Sequence, residues 1–129
     1  MEDRLQLTLS SFGFKYGLPG DATHLWDVRF LPNPYWVEEM RELTGHDPRV
    51  AAYVLDNPPG REFLRLGWPL LSFLVEQNRC AGRLQMRLAI GCTGGQHRSV
   101  AVVERLAREL SALDLELVVQ HRDCPGAGV

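Results

Sequence analysis

"LQMRLAIGCTGGQHRSVAVVERLAREL", residues 84–110, changes its periodicity partway along, and that change decides the fold. Residues 84–91 read as a strand, nearly all apolar at its end, as strands buried in a parallel sheet are. Val100, Val103, Leu106, Ala107 and Leu110 then recur at the spacing of an amphipathic helix. A further apolar run, Leu115 to Val119, predicts another strand. A strand–helix–strand crossover joins parallel neighbours with a right-handed sense. The fold class is therefore α/β, a small, mainly parallel sheet of about four strands flanked by helices.

The other strands lie upstream. Residues 5–12 (LQLTLSSF) alternate apolar and polar and predict the first strand. Residues 16–22 (YGLPGDA) are turn-rich. Residues 24–30 (HLWDVRF) predict a second strand, stopped by Pro32 and Pro34. Residues 35–43 read as a short helix, and residues 49–56 as a helix ending at Asn57-Pro58-Pro59-Gly60. From Arg61 to about Asn78, the residues Phe63, Leu66, Leu70, Phe73 and Leu74 keep helical spacing, and Pro69 is expected to kink or split that segment. The whole reads as a single domain over residues 1–129, with its core at about 5–123 and a frayed tail at 124–129.

The 129 residues carry a net charge of −2, from 14 basic and 16 acidic side chains. Such a balance gives no bulk attraction to nucleic acid or to a membrane. Lys15 is the lone lysine, so almost all the positive charge is arginine. No apolar run reaches membrane-spanning length and the opening MEDRLQ has no signal-peptide pattern, so a cytoplasmic protein is expected. Cys80, Cys92 and Cys124 are far apart and form no CxxC pair. Neither a disulfide framework nor a metal site is expected, and no cofactor.

Residues 92–99 fall on the turn from strand to helix. There the first helical amides are unpaired and the helix dipole favours an anion. Gly94 and Gly95 let the backbone curl toward a ligand, Thr93 and Ser99 offer hydroxyls, Arg98 a fork matched to phosphate oxygens, and His97 charge or a proton. Together they read as a phosphate cradle. A plain glycine turn with solvated basic residues is the alternative. In parallel α/β sheets, ligands bind beyond the carboxyl ends of the strands. Asp27, Arg29 and His121 sit at such ends, so they join the candidate ligand-binding set. Arg98 is read as an exposed loop residue whose loss the fold would survive. No catalytic residue is assigned. The competing enzyme reading is a cysteine-dependent phosphatase, because Cys92 and Arg98 have Cys-x5-Arg-Ser spacing. Against it, Gly91 stands where such enzymes have a histidine, and Leu70 follows Trp68-Pro69 where an acid would stand.

Three blocks, SFGFKYGLPGDA (11–22), DVRFLPNPYW (27–36) and GCTGGQHRSV (91–100), together with His121-Arg122, resemble the C-terminal domain of the RapZ, or YvcJ-like, family of bacterial RNase adapters. The resemblance spans residues 5 to 123. It implies a domain like a phosphofructokinase subdomain that forms homo-oligomers and acts as sensor and adapter. It also implies binding of glucosamine 6-phosphate and a small RNA, and a protein partner. Matched by position, Asp27, Arg29, Thr93, Gly94, His97, Arg98 and Ser99 are the implied site residues. The family's N-terminal P-loop kinase-like domain is expected to be absent, since no G-x-x-x-x-G-K-[ST] occurs. Tyr35 and Gln96 replace a histidine and a lysine of studied members. The tail lacks the family's basic residues, so RNA binding is expected to be weak.

Overall fold

The computed structural model describes residues 4–125. Four strands, β1 (Gln6–Gly13), β2 (His24–Asp27), β3 (Gln85–Cys92) and β4 (Glu116–His121), form one parallel sheet in the order β2-β3-β1-β4. Three helices accompany them: α1 (Pro48–Leu55), α2 (Pro58–Cys80) and α3 (Arg98–Leu110). The crossover carrying α1 and α2 (β2 to β3) and the one carrying α3 (β3 to β4) step the same way across the sheet. A shared right-handed sense therefore puts all three helices on one face. That face carries Leu7 and Leu9 beside Met86, Leu88 and Ile90, packed against Val102 and Leu106 of α3 and Val50 and Val54 of α1.

Several boundaries differ from the sequence reading, each for a local reason. β2 stops at Asp27 because the Asp27 carboxylate accepts the Arg29 amide at 2.9 Å and turns the chain. Residues 35–43 form no α-helix; two single 3₁₀ turns, Pro34–Trp36 and Glu38–Met40, follow each other instead. Asn57 ends one helix and begins the next. Its amide donates to the carbonyls of Tyr53 and Val54, and its Oδ1 accepts from the Gly60 amide at 2.8 Å. α2 is not split at Pro69. The proline lies on the exposed side, so the Arg65 carbonyl it cannot bond faces water, while Leu71 and Val75 anchor the helix beyond it. The buried stripe of α2 is Gly60, Gly67, Leu71, Val75 and Asn78; Leu66, Leu70 and Phe73 stand exposed on another side. Of the expected frayed tail, Cys124 is buried, and residues 126–129 lie outside the described residues.

At the carboxyl end of the sheet, Gly13 passes directly over the turn after β3. A Cβ on Gly13 would stand 2.5 Å from the Gly94 carbonyl carbon, and one on Gly95 would stand 2.6 Å from the Gly13 nitrogen. Gly95 also has a φ of +78°, in the left-handed region. Asp123, just past β4, closes the knot by accepting the Gly13 amide at 2.8 Å and pairing with Arg122 at 2.8 Å. Burial opposes ionisation of Asp123, but the Arg122 guanidinium and the Gly13 amide outweigh it and hold its carboxyl below the ordinary range. A carboxyl depressed in the folded state stabilises above its unfolded pKa of about 3.9, and that contribution is lost as pH falls through the folded value. Asp123→Asn should cost about 1–3 kcal/mol in urea unfolding at neutral pH. The gap from wild type should close as pH drops below about 4. An equal gap at both pH values would contradict this role.

Candidate functional site

A cleft of about 830 Å³ opens at this end of the sheet. Its floor is the β3–α3 turn, contributing Cys92, Thr93, Gly94, Gln96, His97 and Arg98. One wall comes from the 3₁₀ segment, with Tyr35, Trp36 and Arg41; Lys15 and Thr44 complete the rim. The turn is locked in place by backbone bonds, Lys15 N–H to the Thr93 carbonyl at 3.2 Å and Gly45 N–H to the Gln96 carbonyl at 2.8 Å. Lys15, Arg41 and Arg98 face a single acid, Glu42, so the lining is net positive.

His97 holds the N-cap position of α3, and its side chain makes no cap bond. The N-terminus of this 13-residue helix therefore keeps its positive end uncapped toward the cleft. The His97 ring is 8% exposed, and its Nε2 has no hydrogen-bond partner. Buried polar atoms are normally satisfied, and the two orphans among the described residues, His97 Nε2 and Arg98 Nε, both belong to residues that line the cleft. Gly94 faces open space, where an added Cβ would meet nothing within 4 Å.

Arg98 is not the exposed loop residue its position suggested. It is 6% exposed, and Nη1 donates to the carbonyls of Arg29 at 2.6 Å and Leu31 at 3.3 Å. Nη2 reaches Thr93 Oγ1 at 3.3 Å on the cleft side. This arginine therefore ties the segment after β2 to the turn after β3, as well as charging the cleft. Removing it would strand two carbonyls.

The structure gathers part of the predicted set. Thr93, Gly94, His97 and Arg98 line the cleft, and Gly95 shapes its turn. Ser99 is fully buried beneath it, with Oγ 3.1 Å from the Cys92 sulfur. Asp27 and Arg29 do not line the cleft; they pair at 2.7 Å at the neighbouring strand end, with Arg29 stacked 4.0 Å over the Phe14 ring. The Arg29 guanidinium holds the Asp27 carboxyl below its ordinary range. His121 turns the other way, to Ser11 and Glu104. Sequence reasoning missed Arg41, which stacks 4.9 Å from the Tyr35 ring and donates to the Tyr35 carbonyl. Tyr35 and Trp36 fall in the segment expected to be a short helix. Both are exposed at the cleft, Trp36 by 75%.

Comparison with known proteins gives the chain's family. The family described as the RapZ C-terminal domain matches residues 5–125. A protein of Mycobacterium avium named nucleotide-binding protein is 52% identical over 123 residues, covering 92% of this chain and 41% of the relative. A nucleotide-binding protein of Streptomyces coelicolor is 50% identical over 122 residues, covering 95% of this chain and 41% of the relative. One from Frankia alni is 50% identical over 121 residues, with 94% and 42% covered. The chain thus spans about two fifths of the length of these relatives. Among the described residues no helix is long and apolar enough to cross a membrane. With a family match across nearly all of its length and relatives half identical to it, this chain belongs to the RapZ C-terminal domain family.

Proposed function

We propose that this domain is a binding module for a phosphorylated small molecule, held in the cleft at the Gly94–Gly95 turn, and that it senses that molecule rather than transforming it. The observation that carries this reading is the buried, partnerless Nε2 of His97 at the uncapped end of α3, among Lys15, Arg41 and Arg98. Trp36 and Tyr35 offer flat aromatic faces to the non-phosphate part, suited to a sugar ring or a base. Glucosamine 6-phosphate fits this chemistry, as the family resemblance implies. The relatives' name, nucleotide-binding protein, fits the same phosphate chemistry. Calorimetry and thermal shift with glucosamine 6-phosphate and a nucleoside monophosphate test it. A ligand at a hundred times its Kd should stabilise the fold by about 2.7 kcal/mol. Gly94→Val should leave the fold intact and abolish binding, and His97→Ala should weaken it by about 1.5–3 kcal/mol. No stabilisation by either probe, or unchanged binding in both variants, would contradict the proposal.

The phosphatase alternative is disfavoured by the site's own geometry. The Cys92 thiol is buried against Ser99, and one arm of the Arg98 fork, Nη1, is spent on backbone carbonyls. Glu42 is the one acid in the lining. Hydrolysis of p-nitrophenyl phosphate that disappears on Cys92→Ser would reverse the assignment.

An adapter role toward RNA remains weak on electrostatic grounds. The arginines of α2, the turn after it and β3 already have partners. Arg61 pairs with Asp56 at 2.6 Å, Arg65 with Glu62, Arg79 with Glu76 at 3.5 Å and Arg87 with Asp21 at 3.5 Å. Arg83 donates to Asn78. Structured RNA should therefore bind no better than about 10⁻⁴–10⁻⁶ M at physiological salt and fade as salt rises. Nanomolar, salt-tolerant binding in a gel-shift titration would restore the full adapter role.

Self-association is favoured by one further surface. Leu66 and Leu70 of α2, with Leu25 and Phe30, leave an apolar groove beside β2, an edge strand with an open outer ladder. A second copy of this face would cover it. Sedimentation analysis should find an oligomer that Leu70→Glu dissociates; a monomeric wild type at micromolar concentration would contradict it.

A further inference from the structure

Beside α3, outside the lining of the cleft, three side chains converge that the phosphate site does not use. His121 ends β4, and its ring is 5% exposed. Its Nε2 lies 2.7 Å from Glu104 Oε2, and its Nδ1 lies 2.7 Å from Ser11 Oγ. Ser11 and His121 are register partners on adjacent strands, so the sheet itself delivers this contact. His46, in the turn before α1, brings Nδ1 to 4.0 Å from the same Glu104 oxygen. Its ring meets that of His121 edge to face, with centroids 4.9 Å apart. One ligand atom from each residue falls within 4.8 Å of the others.

We propose that His46, Glu104 and His121 form a three-ligand site for a divalent cation of the zinc class. The donor set, two imidazole nitrogens and one carboxylate oxygen, is one zinc favours, with bonds of about 2.0–2.2 Å. Tetrahedral coordination at that radius spaces donors by about 3.3–3.5 Å. Reaching it requires the 2.7 Å pair to open and the widest separation to close, which the solvent-facing His46 and Glu104 side chains can do. Histidines that bind metal normally have their second ring nitrogen held by a hydrogen bond, and Ser11 supplies that for His121. The His46 turn is held as well, because Gly45 N–H donates to the Gln96 carbonyl at the start of α3.

The same groups could be mistaken for a serine hydrolase array. That reading fails on burial, since Ser11 is fully buried and the carboxylate is the exposed end, the reverse of what attack on a substrate needs. Arg105 and Arg108 border the groove beside Glu104, and Arg105 is drawn toward Glu109 at 3.6 Å. Three protein ligands leave the fourth position for water or an external ligand. The site is distinct from the phosphate cleft and does not depend on that assignment.

The test uses the whole chain, stripped of metal with a chelator, then titrated with Zn²⁺ by calorimetry and with Co²⁺ by absorption. One equivalent should bind. The cobalt form should show tetrahedral visible bands without the near-ultraviolet thiolate band that Cys80, Cys92 or Cys124 would produce. His46→Ala should lower the affinity beyond the 10–100-fold (about) typical of losing a supporting partner, and Ser11→Ala should lower it within that range. Because His46 is exposed and outside the cleft, its variant should keep the metal-free melting temperature and the phosphate-probe binding of wild type. Absence of binding to wild type, a thiolate band, or full affinity in both His46→Ala and Glu104→Gln would overturn the proposal.

Discussion

The contact on which the site depends is backbone against backbone, Gly13 lying on Gly94 and Gly95 with no side chain between them. It lets the end of β1 continue over the turn after β3, so that Lys15 bonds to Thr93 as if the sheet ran one step further. The turn is thereby fixed from below. The chain must then rise sharply into α3, and Gly95 supplies the left-handed step. What emerges is a helix end aimed at open space rather than at protein. Asp123 secures the arrangement from a third strand end by holding the Gly13 amide. A substitution at Gly13 or Gly95 would therefore act on the cleft and on the sheet at once, because the same atoms serve both.

Arg98 shows the same economy in a side chain. A buried guanidinium needs its donors occupied, and two carbonyls of the segment after β2 occupy one end. The other end reaches Thr93 at the cleft, and Nε remains without a partner. The charge is thus preorganised by protein atoms before any ligand arrives, which lowers the ordering cost of binding. His97 is the complementary case, a buried ring with an unsatisfied nitrogen. Among the described residues the fold tolerates that cost at two side-chain atoms, His97 Nε2 and Arg98 Nε, and both residues border the cavity.

The order of strands and helices was legible because it rests on local periodicity. The apolar end of β3 and the 100-103-106-107-110 stripe of α3 read as a buried strand and an amphipathic helix, β1 shows in its alternation and β4 in its apolar run, and the crossover rule makes the sheet parallel. The glycine turn was legible for the same reason, since its chemistry is contiguous. What could not be read were contacts made between distant segments. Nothing local distinguishes an arginine that bonds carbonyls 67 and 69 residues away from one that is solvated. Arg41 enters the cleft only because two 3₁₀ turns replace the helix expected at residues 35–43. The heavy apolar content of α2 likewise read as one core face, whereas the helix divides it between Leu71 and Val75 inside and Leu66, Leu70 and Phe73 outside. Pro69 was weighed as a breaker without knowledge of which side it would face.

α3 links the two polar centres, and its burial decides how. Ser99 to Val103 and Leu106 are almost wholly enclosed, so the helix cannot shift without disturbing the core. Its first residue faces the cleft and Glu104 stands six residues on, about 9 Å along the axis at 1.5 Å per residue. The turn that carries His46 is tied by Gly45 to Gln96, inside the turn between β3 and α3. His121 is tied through Ser11 to β1, two residues before Gly13. Each centre is therefore braced by backbone that also frames the other. Rigid packing of this kind transmits little displacement, so occupancy of one centre would change the other through the stability of shared segments rather than through a moving part.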